Sequence, residues 1–557
     1  MSSRFFLVLA LVATGGPPAL ALKPVAAQHG MVVSSESYAS EAGLEVLREG
    51  GNAVDAAVTV GFVLAVTYPF AGNIGGGGFM LIRRANGESI VVDYREEAPG
   101  AATSTMYLNR KGQVIPSAST VGALSAGVPG TVAGLALAEQ RYGKLGLAPV
   151  LAPAIRLARD GFPVSYWLSE DLRRHQKLLS KVPNSCRIFL RNRHFYQAGE
   201  NLRQPELAST LAEIAHRGPA AFYRGDIAQD IVLTEKKLGG LITARDLAGY
   251  CAKLRKPLVG HFRGYTVLSA PPPSSGGAVL IEMLNVLGPL DLGQPDSYDS
   301  MHLIVEAMRR AFADRAAYMG DTDFVRVPVQ GMIDPQYAAQ VRREILGSKP
   351  DAAVAAGHPA QYESSTTTHY SVVDAQGNAV SNTYTLNGGY GSGVTVEHAG
   401  FLLNNEMDDF TSKPGSPNMF GLVQSDANAI APHKRPLSAM TPTIVLQNGK
   451  LRLVLGAPGG PTIINTVLEV LLNALVYHMD ILRAVVEPRF HNQWMPDKLF
   501  LEEQGFSADT VEKLQRAGYK LAFSPSIGEC EAIDIEPLTG WRFGAADPRG
   551  HGEAVGY

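Results

Sequence analysis

The chain has 557 residues, with 49 Lys and Arg against 52 Asp and Glu. The net charge of −3 leaves no basic surplus for a nucleic-acid backbone. Hydrophobic residues at 46 % and charged ones at 18 % give enough material for a buried core and too little charge for a disordered chain.

The first residues, MSSRFFLVLALVATGGPPALAL, combine Arg4, an apolar run over 5–13 and the small-residue pattern Ala19-Leu20-Ala21. This reads as a secretory signal over residues 1–21, so a secreted or periplasmic protein is expected. The apolar run is short of the ~20 residues a membrane span needs, and no later stretch reaches that length. Cys186, Cys251 and Cys530 are far apart with no CxxC pair, which excludes a disulfide framework or a metal cluster and leaves buried thiols as the expectation, with a single bridge in an oxidising compartment as the alternative.

Asn52 stands where a helix cap is needed, and the spacing predicts a buried helix from Ala53 to Thr67, closed by Pro69. NIGGGGFMLIRR follows as a glycine run entering an apolar strand, then a second strand over 89–94 leads to Arg95. From about 130 to 340 amphipathic segments between Gly and Pro breaks predict a helix-rich region. Residues 349–365, rich in Ala, Gly, Pro and Ser, have the composition of an exposed linker. Immediately after it, 366–374 alternates as a strand, Ala375-Gln376-Gly377-Asn378 supplies a turn, and 379–386 is a second strand. Residues facing across this hairpin have numbers summing to about 752, which sets Thr367 opposite Thr385, with a freedom of one residue. HKRPLSAMTPTIVL and LRLVLGAPGGPTIINTVLEVLLNAL then predict strand, strand, glycine loop and helix, and a strand pair lies between Cys530 and Ala546. Stacked α and β layers follow from this order.

GxSxG, HExxH, GxxxxGK[ST] and GxGxxG are all missing, which removes support for metal and nucleotide chemistry; no metal and no cofactor is expected. What stands out is a threonine-rich strand directly after a linker. Threonines favour strands for structural reasons alone. A threonine at a freed chain start is different, because its own α-amine, of pKa near ~7.7–8.0, can take the hydroxyl proton.

The segments GGNAVDAAVTVGF, NIGGGGFM, DYREEAPGAAT, APPPSSGG, TTHYSVVDAQGNAVSNTYTLN, LLNNEMDDF, DANAIAPHKRPLSAMTPTIV, GAPGGPTIINTV and RFHNQW, in this order, closely resemble the γ-glutamyltranspeptidases, N-terminal-nucleophile hydrolases. The resemblance runs through nearly the whole chain. It implies an α+β fold, a four-layer αββα sandwich, and a precursor that cuts itself between Thr366 and Thr367. The products would be a large subunit over 22–366 and a small subunit over 367–557, held as a heterodimer. It further implies Thr367 as nucleophile, Thr385 as the group orienting it, and the backbone amides of Gly459 and Gly460 as oxyanion donors. By itself the glycine pair also fits an ordinary strand-to-helix turn.

By the same resemblance Arg95 and Ser438 hold the substrate α-carboxylate, and Asn387, Glu406 and Asp409 accept its ammonium. Blind to the resemblance, Arg95 reads as a surface ion-pair residue and NNEMDDF as a cation-binding loop. Three positions depart from many relatives: Ala439 replaces a second serine, Phe420 stands where a lid tyrosine closes on the residue equivalent to Asn387, and Glu406 is glutamine in some. The expected activity is transfer of the γ-glutamyl group of glutathione and related γ-glutamyl compounds to water or to acceptor amino acids or peptides. A glutaryl-cephalosporin-type acylase and a non-catalytic exported homologue are the alternatives.

Overall fold

A computed structural model describes residues 23–347, 354 and 367–557. The expected signal over 1–21, Thr366 and nearly all of the expected linker lie outside the described residues.

Two seven-stranded antiparallel sheets form the centre. The first runs, edge to edge, Glu553–Gly556, Met31–Ser34, Thr368–Val373, Ala379–Thr385, Gly77–Arg83, Ser89–Asp93 and Lys253–Arg255. The second runs Val25–Ala27, Arg542–Ala546, Glu531–Ile535, Lys450–Gly456, Thr443–Gln447, Tyr265–Ser269 and Leu258–Phe262. Helices Ser37–Arg48 and Ala53–Thr67 pack on the outer face of the first sheet, and Gly276–Leu287 and Thr462–Leu475 on that of the second. The architecture is therefore the four-layer αββα sandwich.

Strand alternation explains why these segments are apolar on both faces. Met31, Val33, Phe79 and Leu81 join the core between the sheets, whereas Val32, Met80, Ile82 and Val92 join the core beneath the helices. The sheets are also joined by polar contacts: Ser371 Oγ donates to the Glu531 carbonyl at 3.0 Å and Ser381 Oγ to the Leu455 carbonyl at 3.0 Å.

The helix Ala53–Thr67 has the predicted bounds and is buried throughout. Asn52 caps it, accepting from Val54 and Asp55, while Asp55 accepts from the Asn52 N–H. Between 130 and 340 helices dominate, interrupted by the strands of 253–269. The short strands Val25–Ala27, Met31–Ser34 and Glu553–Gly556 escaped the sequence reading because each has at most four residues, too few to show a period. The cysteines are free, but only Cys530 is buried; Cys251 is exposed and Cys186 half-buried, so the expectation of buried thiols holds for one of them. Among the described residues no helix is long and apolar enough to cross a membrane.

Candidate active site

The hairpin has the predicted register. Thr368 pairs with Tyr384 and Val373 with Ala379, so Thr367, just ahead of its strand, meets the end of the partner strand at Thr385. The Thr367 hydroxyl lies 3.5 Å from that of Thr385, at the long limit of a hydrogen bond. The Thr385 hydroxyl also accepts the Asn387 N–H at 2.7 Å. The glycine run lets the neighbouring strand approach this point: a Cβ on Gly76 would stand 2.0 Å from the Thr385 carbonyl oxygen.

Thr367 and Thr385 line a small cavity together with Asn387, Glu406, Asp409, Phe420, Ser438, Ala439, Gly460 and Arg315. Residues far apart in the chain converge here because three loops are tied together. Asn387 sits at φ 75°, and its Nδ2 donates to the Asn405 carbonyl at 3.1 Å. Gly388 N–H donates to Asn405 Oδ1 at 2.8 Å, which fixes the loop carrying Glu406 and Asp409. Ser438 is held by Ser275, whose N–H and hydroxyl both donate to its carbonyl, at 2.8 and 2.6 Å.

Gly459 and Gly460 lie between the strand Lys450–Gly456 and the helix Thr462–Leu475, at φ 132° and 55°. Among the described residues neither backbone N–H donates to a protein acceptor. Free N–H groups beside a helix N-terminus suit a developing oxyanion. Gly460 lines the Thr367 cavity, whereas Gly459 lines an adjoining cavity with His491, Gln493 and Thr462; Phe420 is the wall common to both.

Arg95 is fully buried beneath the cavity rather than lining it. Its Nη1 donates to the Glu406 carboxylate, its Nη2 to Asp409 at 2.5 Å and its Nε to the Pro436 carbonyl at 3.1 Å. Arg95 thus pairs with the two carboxylates assigned to the ammonium, a link the sequence did not reveal. Burial raises the pKa of Glu406 and of Asp409, while the charge of Arg95 opposes the rise.

The loop over the cavity contacts Asn387 through Met419, whose sulfur lies 3.6 Å from Asn387 Nδ2. Phe420 packs instead over Gly460, and Asn418 Nδ2 donates to Asp409 at 3.1 Å. Two further groups were missed in the sequence. Asp408 accepts from Ser119 Oγ at 2.6 Å and the Met419 N–H at 2.8 Å, fastening the loop; burial pushes its pKa up to about 6. Arg315 reaches the cavity from the helix Tyr298–Tyr318.

Residues 39–557 match the family model described as gamma-glutamyltranspeptidase. The chain belongs to the gamma-glutamyltranspeptidase family. It is 48 % identical over 531 residues to a glutathione hydrolase proenzyme of Escherichia coli, covering 94 % of this chain and 91 % of that relative. It is 37 % identical to the acylase ACY 1 proenzyme of a Pseudomonas strain, covering 93 % of each. Among solved structures, a cephalosporin acylase from Bacillus halodurans superimposes with a TM-score of 0.85 at 27 % identity, over 99 % of both chains. The relatives thus carry two kinds of name, glutathione hydrolase and acylase, and the residues of the cavity bear on the choice between them.

Proposed function

We propose that this protein is a γ-glutamyltransferase and glutathione hydrolase that matures by cutting itself before Thr367. The observation that carries the reading is the convergence of the Thr367 hydroxyl, the Thr385 hydroxyl and the free Gly460 N–H on one small cavity with the buried carboxylates of Glu406 and Asp409 and the Arg315 guanidinium.

In maturation the Thr367 hydroxyl attacks the carbonyl of Thr366, the peptide bond becomes an ester, and water hydrolyses it. This frees the Thr367 α-amine and divides the chain into subunits of 22–366 and 367–557, which stay together because their strands share both sheets. In turnover that amine takes the hydroxyl proton while Oγ1 attacks the γ-carbonyl of glutathione or another γ-glutamyl compound. Gly459 and Gly460 donate to the oxyanion, and the intermediate collapses as the leaving amine collects the proton. Water, or an acceptor amino acid or peptide, then resolves the ester. Thr385, fixed by the Asn387 N–H, orients the nucleophile. Arg95 and Ser438 would engage the α-carboxylate, and Asn387, Glu406 and Asp409 the ammonium. Binding then requires the Arg95 pairs with Glu406 and Asp409 to be shared with the substrate. Identity to a glutathione hydrolase proenzyme over most of both chains supports the same reading, and export to the periplasm or beyond accords with the signal-like first residues.

A second reading, glutaryl transfer, is favoured by one feature: Glu406 and Asp409 are already paired with Arg95, which leaves less negative charge to hold an ammonium. Hydrolysis of γ-glutamyl and glutaryl anilides side by side decides. Preference for γ-glutamyl anilide upholds the first reading; preference for the glutaryl compound, which has no ammonium, overturns it.

A further inference from the structure

The cavity holds a buried guanidinium that forms no ion pair among the described residues. Arg315, in the last turn of the helix Tyr298–Tyr318, is 2 % exposed and lines the cavity with Thr367, Ser438 and Ala439. Its Nε donates to Ser275 Oγ at 2.8 Å, and Ser275 in turn holds the Ser438 carbonyl. Its Nη1 is buried with no hydrogen-bond partner. No carboxylate forms an ion pair with it among the described residues. Asp409 is close enough to favour its charge and Arg95 to oppose it, while burial, the largest influence, lowers its pKa to about 10. It stays cationic at neutral pH.

Arg95 presents the opposite situation. Its three nitrogens already donate to Glu406, Asp409 and the Pro436 carbonyl. A donor entering the cavity therefore meets one guanidinium fully engaged and another unpaired, and an unpaired buried charge is a standing cost that an incoming anion removes. Beside it, Ala439 presents only a methyl group.

Resting on the γ-glutamyl reading, we propose that Arg315 is a second guanidinium for the α-carboxylate of the donor substrate, and so a determinant of specificity for acyl groups that carry a carboxylate. It reaches the carboxylate from the Ser438–Ala439 side, with Ser275 fixing its orientation through Nε.

The test compares wild type, Arg315→Met and Arg315→Lys on three anilides: γ-glutamyl, with carboxylate and ammonium; glutaryl, with the carboxylate alone; and 4-aminobutyryl, with the ammonium alone. Arg315→Met is expected to raise KM about 10-fold or more for the first two, with kcat changed far less and 4-aminobutyryl hydrolysis unchanged. Arg315→Lys, which keeps the charge and loses the planar fork, is expected to recover part of the loss on the carboxylate donors only. An equal loss on all three anilides, or no loss on any, overturns the proposal. If Arg315→Met fails to split or fold, Arg315→Lys still decides, since a selective KM change on the carboxylate donors supports the role and an unselective one contradicts it. A wild type that cleaves glutaryl but not γ-glutamyl anilide overturns the γ-glutamyl reading instead, and a selective loss on the glutaryl compound then still upholds the carboxylate role of Arg315.

Discussion

The Asn387 N–H donates to the Thr385 hydroxyl at 2.7 Å and thereby fixes the group that stands 3.5 Å from the Thr367 hydroxyl. Backbone of the loop that bears a substrate-binding candidate thus aims the side chain that orients the nucleophile. Substrate binding and nucleophile alignment share one support.

Thr385→Val keeps the shape of the side chain and removes both contacts. The expected result is slowed chain splitting and a fall in kcat of about 100-fold or more, while Thr385→Ser retains most of both. Splitting is followed on denaturing gels and kcat on γ-glutamyl anilide; a valine variant with wild-type kcat would remove Thr385 from the mechanism.

At Gly460, φ is 55°, and an added Cβ would lie 2.8 Å from Phe420 Cδ1. Gly460→Ala should displace the ring shared by the two cavities and misplace the N–H, lowering kcat by about 10²–10³-fold, the cost of losing one oxyanion donor. The check is kcat on γ-glutamyl anilide, with the melting temperature measured alongside; unchanged turnover speaks against Gly460 as a donor.

Gly456 is demanded by packing rather than by chemistry. Its Cβ would come within 2.3 Å of His369 Cε1, and that ring is held on both sides, Nδ1 by Thr383 Oγ1 at 2.8 Å and Nε2 by Ser371 Oγ at 3.1 Å. Gly456→Ala is expected to destabilise the fold by about 1–3 kcal/mol through overpacking between the sheets. Urea unfolding measures it, and a change below a few tenths of that would show that the sheets can move apart at no cost.

Glu529 and Glu531 form a buried pair near the nucleophile strand; Glu531 Oε1 accepts from Ser35 Oγ at 3.0 Å, and Ser35 Oγ accepts from Thr368 Oγ1 at 3.0 Å. Burial, with Asp547 nearby, pushes Glu529 up to about 7, and burial with Glu529 raises Glu531 further. Both carboxyls hold protons more tightly folded than unfolded. Their stabilising contribution is therefore complete below the ordinary carboxylate range and is lost as pH rises through about 7 and beyond. The melting temperature of wild type should fall from pH 6 to pH 9, and Glu531→Gln should flatten that fall; an equal or steeper fall in the variant contradicts the pairing.

Much of this arrangement was legible in the sequence, for reasons that can be named. The period-2 alternation around Ala375-Gln376-Gly377-Asn378 set the hairpin register and with it the Thr367–Thr385 pair, because turn and strand fix each other. Asn52 and its buried helix followed from capping and spacing. The Arg95 ion pairs did not, since Glu406 and Asp409 lie more than 300 positions away and an isolated arginine reads like any surface cation. Arg315 was hidden for the same reason: in MHLIVEAMRRAFADRAAYM it is one of three arginines on an amphipathic helix, and only the packed fold reveals which one faces the cavity.

Intact-mass analysis of the purified protein, wild type beside Thr367→Ala, tests the central claim most directly. The account predicts two fragments in wild type, the smaller beginning at Thr367, and a single unsplit and inactive chain in the variant. Full γ-glutamyl turnover by an unsplit wild-type chain, or a small fragment beginning at a neighbouring residue, would contradict it.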